Sequence, residues 1–314
     1  MKKIIPFVSD CDEELISLWL YYLQNQMSEY EIVLFKNLSE SQILSADVAI
    51  VANPKPSQIS QMKNLKWVQS LWAGVEKLLQ DIPDASFKIV RMVDPTLADT
   101  MAQSVLAWTL YLHKNMPLYK LQQNHKIWKQ HIEVLPEEKN IAVLGLGNLG
   151  LSSVLKLKEN GFNVSGWGRS KKEIQGVTTY HGDAGLVQIL KGADIVICLL
   201  PLTPETNNLL DKQKLDLLAP DTALINFARA KIINYKYLLE KIENSELSHA
   251  VLDVFESEPL ENNSALWDDP NITILPHISA PTNMKSASKI ALKHISEYYQ
   301  KDIKPTFVDK DKGY

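Results

Sequence analysis

The stretch Ile141-Ala142-Val143-Leu144-Gly145-Leu146-Gly147-Asn148-Leu149-Gly150 constrains this chain more than any other. Four apolar residues of strand length run into glycines spaced G-x-G-x-x-G, and the helix-like segment Ser152–Glu159 follows. A lone G-x-G-x-x-G is a weak signal, since glycines recur in ordinary turns. A strand before it and a helix after it supply the required context. In such a unit Gly145 permits the tight turn, Gly147 lets a pyrophosphate approach the backbone, and Gly150 lets helix and strand pack closely. Asn148 and Leu149 complete the turn, and the helix N-terminus offers N–H groups and a partial positive charge to phosphates. The reading is a dinucleotide site on a parallel sheet.

The rest of the chain agrees with that sheet. Apolar runs of strand length alternate with helix-length amphipathic segments throughout, the pattern of parallel strands with crossover helices. In the first hundred residues the strands are expected at Ile4–Val8, Glu31–Phe35, Val48–Val51, Trp67–Ser70 and Lys88–Arg91. Between the first two, Asp12–Gln26 has helical spacing at Leu15, Leu18, Trp19 and Leu23, with acidic residues in its first turn. After a break at Asp94-Pro95-Thr96, a long amphipathic segment begins near Asp99. It carries Met101, Val105, Trp108, Leu112 and Met116 at helical spacing and is expected to run until Pro117. Its apolar content exceeds what one face against one domain needs, so a core helix and a subunit interface are both open readings.

Six more strands are expected at Ile141–Leu144, Asn163–Trp167, Asp194–Leu200, Thr222–Ile225, Ser248–Leu252 and Ile272–Leu275, and a helix over about Asn283–Tyr299. Ligands of open parallel sheets collect outside the carboxyl ends of the strands. The segments found there are Gly145–Gly150, Gly168–Ser170, Pro201, Phe227–Arg229, Asp253 and His277. Every candidate for chemistry therefore falls on one edge of one sheet.

Composition bounds the function classes. A chain of 314 residues suits two domains, each able to bury its own core. A net charge of −4 gives no electrostatic footprint for nucleic acid. Cys198 lies inside an apolar run, so it and Cys11 are read as reduced thiols. The start Met1-Lys2-Lys3-Ile4-Ile5-Pro6-Phe7-Val8 has too short an apolar stretch for a signal peptide, and Asp10, Asp12, Glu13 and Glu14 follow at once. No run approaches membrane-spanning length, so a cytoplasmic protein without a membrane partner is expected. No His/Cys/Asp/Glu cluster has metal-ligand spacing.

The second strand of the fingerprint unit bears on which dinucleotide binds. An NAD site usually carries Asp or Glu about twenty residues past the glycines, bonded to the ribose 2′-hydroxyl. Here the strand ends Trp167-Gly168-Arg169-Ser170-Lys171-Lys172, without an acid. Arg169 and Ser170 can bond a 2′-phosphate, with Lys171 or Lys172 adding charge. A solvated basic turn is the plain alternative. Missing acid and present base together favour NADP(H), with NAD(H) as the second option.

Three polar residues sit where each can do chemistry: Arg229 in I-N-F-A-R-A, Glu258 in L-D-V-F-E-S-E-P-L and His277 in I-L-P-H-I-S. An arginine's planar fork can bind both oxygens of a carboxylate. An imidazole of ordinary pKa moves protons near neutrality, and a carboxylate beside one favours its charged form. The six histidines other than His277 mostly fall in polar segments where a solvated side chain is the default, whereas His277 follows a buried strand directly after Pro276.

With those residues quoted, the chain resembles the D-2-hydroxyacid dehydrogenases, and within them the glyoxylate/hydroxypyruvate reductases. The resemblance covers nearly the whole chain, including Leu200-Pro201-Leu202-Thr203-Pro204-Glu205-Thr206 and the ending Lys312-Gly313-Tyr314. It implies two doubly wound parallel-sheet domains, a Rossmann cofactor domain (99–281) inserted into a discontinuous flavodoxin-like substrate domain (1–98 and 282–314). It implies reduction of a small 2-keto acid by hydride transfer from NADPH, with Arg229 binding carboxylate, His277 as proton donor and Glu258, rather than Glu256 or Glu261, beside it. Leu200, Pro201, Thr206, Phe227, Ala228, Arg229 and Asp253 join the cofactor side, although a polar residue such as Asp253 at a strand end is nearly as often structural. The loop Ser70–Val75, with Trp72, Ala73 and Gly74, is implied to turn backbone N–H groups to the substrate carboxylate, and Trp72 to wall the side-chain pocket or simply to pack. The resemblance also favours a homodimer through the long helix. One departure stands out: after the N-x-x-R motif, Asn226 to Arg229, the family usually has Gly and this chain has Ala230. Two alternatives stay open, a dinucleotide-sensing corepressor-like protein and a reductase of a bulkier 2-keto acid.

Overall fold

The protein is described by a computed structural model, which covers residues 2–83 and 85–310; the ending Lys312–Tyr314 lies outside the described residues. The chain divides into two compact units, Met1–Thr96 with Thr282–Tyr314, and Leu97–Pro281.

The first unit holds five parallel strands, β1 (Lys3–Ser9), β2 (Tyr30–Leu34), β3 (Val48–Ala52), β4 (Trp67–Ser70) and β5 (Lys88–Val90), in the order β2-β1-β3-β4-β5. Central β3 reads Val-Ala-Ile-Val-Ala and is buried at every position, as a strand covered on both faces must be. The helix Glu13–Gln26 starts where Asp12 accepts the Leu15 N–H at 2.8 Å, an N-cap that satisfies a donor the helix cannot. The helix Met284–Lys301 belongs to this unit. Ala287, Ala291 and Ile295, one turn apart, are fully buried in a cluster with Ile5, Phe7, Trp19 and Trp67. Tyr299 donates to Asp47 at 2.6 Å, and His294 Nδ1 lies 2.7 Å from Gln69 Oε1.

The second unit holds seven parallel strands: β6 (Asn140–Leu144), β7 (Asn163–Gly168), β8 (Thr178–His181), β9 (Ile195–Cys198), β10 (Ala223–Asn226), β11 (His249–Leu252) and β12 (Ile272–Ile274). Their order, β12-β11-β10-β9-β6-β7-β8, reverses direction between β6 and β9. That switch point is where a doubly wound sheet opens a crevice. Six of the seven coincide with apolar runs. The edge strand β8 reads Thr-Thr-Tyr-His and none of its residues is buried, so it carries no apolar pattern to find it by.

The long helix differs from its sequence reading. It begins at Pro95 and ends at His113, because Asn115 takes a left-handed φ of 55°. Pro117 does not interrupt it. It occupies the first turn of the next helix, Met116–Asn124, where its missing N–H costs nothing. Met101 and Val105 pack among Ile141, Val143 and Val154. Among the described residues, no helix is long and apolar enough to cross a membrane.

Candidate functional site

The fingerprint turn shows a division of labour among its glycines. Gly145 has φ +106°, and a Cβ there would lie 2.7 Å from the Leu199 carbonyl oxygen. At Gly150 a Cβ would lie 1.7 Å from the Gly145 carbonyl oxygen, so only glycine lets the helix sit this close to β6. Gly147 is different: a Cβ there meets nothing within 4 Å. Its space is open, as a pyrophosphate cradle requires. The helix starts at Asn148, earlier than the sequence suggested, with Gly147 as a cap that offers no side-chain bond. Amide donors of that first turn are thus left to a ligand, and the turn fits a dinucleotide.

The turn after β7 is exposed at Arg169, Ser170 and Lys171. A Cβ on Gly168 would meet nothing nearer than Ser170 O at 3.6 Å, so the absent acid is not absent for want of room. Lys171 pairs with Glu173 at 3.2 Å. Lys172 is committed elsewhere: its Nζ donates to Leu146 O at 2.6 Å, tying this turn to the fingerprint. The Glu205 carboxyl is held below its ordinary pKa, first by the Thr203 hydroxyl, then by its own backbone N–H, with the Arg169 charge contributing last. The loop following β9 is stapled. Thr206 Oγ1 donates to Pro201 O at 2.6 Å, and Thr203 N donates to Thr206 Oγ1 at 2.8 Å. Leu200 is buried beneath it.

Arg229 follows β10 in an extended conformation. The preceding turn is organised by Asn226, fully buried, whose Oδ1 accepts the Ala228 N–H at 3.1 Å. Its Nδ2 reaches Arg229 O at 3.2 Å and Tyr235 Oη at 2.9 Å. Tyr235 in turn donates to Val254 O at 2.8 Å, joining the turns that follow β10 and β11. Burial holds the Tyr235 hydroxyl well above its ordinary pKa, so it stays a neutral donor. No motif in the sequence marks Tyr235 for this role. Phe227 and Ala228 are buried, and Arg229 Nη1 donates to Ala228 O at 2.7 Å. Ala230 opens a 3-10 turn with no positive φ, so the usual glycine is not needed there for its backbone freedom.

His277 stands three residues past the end of β12, with φ +55°, a conformation uncommon outside glycine that marks a position held by its surroundings. Its Nδ1 lies 2.8 Å from Glu258 Oε2. The other Glu258 oxygen accepts the Phe255 N–H at 2.9 Å. Asp253, 2% exposed, does not stand free at its strand end. Its two oxygens accept the N–H groups of Ile278 at 2.7 Å and Ser279 at 3.0 Å. Both carboxylates therefore fasten the His277 segment, Glu258 at the ring and Asp253 at the backbone. The ring is half exposed, and with Nδ1 turned to Glu258 it is Nε2 that can exchange a proton.

Two other histidines correct the expectation of solvated side chains. His249 lies inside β11, 4% exposed, with Nε2 2.9 Å from Thr273 Oγ1, and burial lowers its pKa to about 4. His113 is buried against Phe162, their rings 5.1 Å apart. Burial also pushes the Cys198 thiol up to about 12, so it carries no thiolate chemistry.

In the first unit, Ser70 Oγ accepts the Trp72 N–H at 3.1 Å and lies 3.2 Å from Trp72 O, which also accepts from Met92 N at 3.0 Å. Ala73 and Gly74 follow in the same turn, partly exposed.

Comparison with known proteins adds three findings. Residues 106–279 match the family model described as D-isomer specific 2-hydroxyacid dehydrogenase, NAD binding domain. The chain is 34% identical over 272 residues to a glyoxylate/hydroxypyruvate reductase A from Yersinia enterocolitica, covering 84% of this chain and 85% of that one. Two solved structures superpose over the full length of both chains. One is a D-isomer specific 2-hydroxyacid dehydrogenase from Xanthobacter autotrophicus Py2 in complex with NADPH and MES (29% identity, TM-score 0.93). The other is an NADPH-dependent glyoxylate/hydroxypyruvate reductase from Sinorhizobium meliloti in complex with NADP and sulfate (28% identity, TM-score 0.91).

Proposed function

The chain belongs to the D-isomer specific 2-hydroxyacid dehydrogenase family, in its glyoxylate/hydroxypyruvate reductase branch, and from that premise we propose that it reduces glyoxylate, hydroxypyruvate or another short 2-keto acid with NADPH. The observation that carries this reading is the 2.8 Å contact of His277 Nδ1 with Glu258, on the same sheet edge that bears Arg229 and the fingerprint.

NADPH supplies a hydride for the carbonyl carbon. The fingerprint residues Gly145, Gly147, Asn148, Leu149 and Gly150 would hold its pyrophosphate. Gly168, Arg169, Ser170 and Lys171 would take the 2′-phosphate, while Leu200, Pro201, Thr206, Phe227 and Ala228 would line the approach and Asp253 would act from beneath it, through the backbone it holds at Ile278 and Ser279. Arg229 binds the substrate carboxylate and polarises the carbonyl. His277 gives the carbonyl oxygen its proton from Nε2. Glu258 holds the ring in register through Nδ1, which leaves Nε2 towards the substrate. Trp72, Ala73 and Gly74 complete carboxylate and side-chain binding. In this reading residues 99–281 form the cofactor domain, and residues 1–98 with 282–314 the substrate domain.

A cytoplasmic homodimer using the helix Pro95–His113 belongs to the same proposal. Support comes from Trp128 and Ile132 beyond that helix, 98% and 91% exposed; apolar surface of this kind marks interaction sites.

NADPH oxidation measured against glyoxylate, hydroxypyruvate and a panel of larger 2-keto acids tests the reading. Turnover of the short acids is expected. Cofactor binding without turnover of any of them would make this a dinucleotide-sensing protein instead.

A further inference from the structure

Three loops at the carboxyl edge of the first sheet are bonded to one another, and the connection runs through Asn53. That residue directly follows β3, and its backbone has φ 47°. Its side-chain Oδ1 accepts the Trp72 indole N–H at 3.0 Å. Its Nδ2 points the other way, 3.9 Å from the Cys11 sulfur, two residues past β1. The backbone is engaged separately, Asn53 O accepting from Asp10 N at 3.1 Å. In the order β2-β1-β3-β4-β5 the direction reverses between β1 and β3, so this bridge stands at the switch point, where such sheets take ligands.

A turn residue at this φ needs only to tolerate the left-handed region, and glycine would do so at least as well. What glycine lacks is the carboxamide, and here the carboxamide is spent on an indole. Trp72 is otherwise held by an edge-on contact with buried Trp19, ring centroids 5.9 Å apart at 76°, and by the Ser70 staple on its backbone. The ring also packs, partly buried, against the first unit's core, but neither that packing nor the backbone staple is directional at the indole N–H. The N–H bond to Asn53 adds the directional restraint that fixes the tilt of the ring, which stays partly exposed.

The geometry points to Asn53 as a specificity-determining positioning residue: by fixing the Trp72 indole, it sets the size limit for the group attached to the keto carbon. This rests on the proposed function, in which Trp72 walls the side-chain end of the substrate. Discrimination between keto acids that differ by a few carbon atoms is a matter of pocket shape, and a wall that moves discriminates less.

The test compares kcat and KM for glyoxylate and for a branched aliphatic 2-keto acid in Asn53→Gly and Asn53→Asp, each alone and combined with Trp72→Phe. Asn53→Gly keeps the backbone conformation and loses the acceptor. It should narrow the kcat/KM preference for glyoxylate by about threefold to tenfold, the scale of one neutral hydrogen bond, through a lower KM for the branched acid. Asn53→Asp keeps an acceptor and should retain the wild-type preference. In the Trp72→Phe background, which has no indole N–H, Asn53→Gly should change the preference no further. The indole N–H resonance of Trp72, assigned by its loss in Trp72→Phe, should shift and exchange faster in Asn53→Gly. An active wild type whose preference survives Asn53→Gly, or is altered equally with and without Trp72, overturns this inference. A wild type that reduces no 2-keto acid while the indole resonance still responds to Asn53→Gly overturns the functional reading, and the specificity role with it.

Discussion

The two parallel sheets use their carboxyl edges differently. The edge of the second sheet carries charge: Arg229 after β10, Glu258 and Asp253 after β11, His277 after β12 and Arg169 after β7. At the edge of the first, the groups that hold Trp72 are neutral, the Ser70 hydroxyl and the Asn53 carboxamide, and the ion pair Asp10–Lys55 (2.6 Å) flanks them on the same loops without bonding the indole. One architecture thus supports two strategies. Charged groups that bind or transfer protons need fixed partners, which Glu258 and Asp253 provide for the His277 segment. In the proposed reading the first edge would recognise substrate by shape and backbone donors, and such a surface needs its loops held still, as the neutral hydrogen bonds at Ser70 and Asn53 do. Substitutions in the second unit should therefore cost much more than those in the first.

The largest effect is expected at His277. His277→Gln should lower kcat by about 10²–10⁴-fold, the contribution of general acid catalysis, while NADPH binding measured by fluorescence titration is retained. Near-normal turnover would remove His277 from the mechanism and with it the contrast between the sheets.

Acid should weaken the second unit through His249. Its pKa is 6.5 when ordinarily solvated and about 4 in the fold, lowered by burial. The unfolded chain then binds the extra proton, so stability falls as pH drops from 6.5 to 4 and levels off below. That stability loss is about 3 kcal/mol. His113, lowered by burial and then by Lys114 and Lys139, acts in the same direction. Urea midpoints across this range should slope for the wild type and flatten in His249→Gln. An unchanged slope would assign the pH response to other groups.

Next in size is the cofactor turn. Arg169→Ala should weaken NADPH by about tenfold to a hundredfold, the worth of a charge-assisted bond, and leave NADH nearly unchanged. Equal losses for both cofactors would make Arg169 a support of the fold. Gly168→Asp added to Arg169→Ala should turn preference to NADH, since the space at Gly168 accepts a side chain.

The smallest effect belongs to the first unit. Ser70→Ala removes the staple on Trp72 and should raise KM for the keto acid by about threefold to tenfold, the scale of one or two neutral hydrogen bonds, with kcat little altered. A loss in kcat as large as that of His277→Gln would erase the proposed division between the edges.

Much of this arrangement is legible in the sequence. Apolar runs located eleven of the twelve strands among the described residues, and the residues just beyond them included Arg229, His277 and the fingerprint glycines. Those signals are local, since burial on both faces of a parallel strand writes itself into a few consecutive residues. Edge strand β8, half wet, writes nothing of the kind. Pro117 misled because a proline that breaks one helix and a proline that begins the next look alike until the chain direction is known.

Only tertiary structure could decide which loops meet. The contacts of His277 with Glu258, Ile278 with Asp253, Lys172 with Leu146 and Trp72 with Asn53 join residues 19, 25, 26 and 19 positions apart. Their separation carries no period and no motif, because strand order, not sequence distance, makes two loops neighbours. The amino-acid sequence alone determined the strand-and-helix rhythm, the glycines that permit a phosphate turn and the kinds of side chain waiting at strand ends. The fold chose Glu258 from three nearby glutamates, turned Asp253 to the His277 backbone, buried His249 and set Asn53 against Trp72, since each of these depends on packing between segments that the chain order keeps apart.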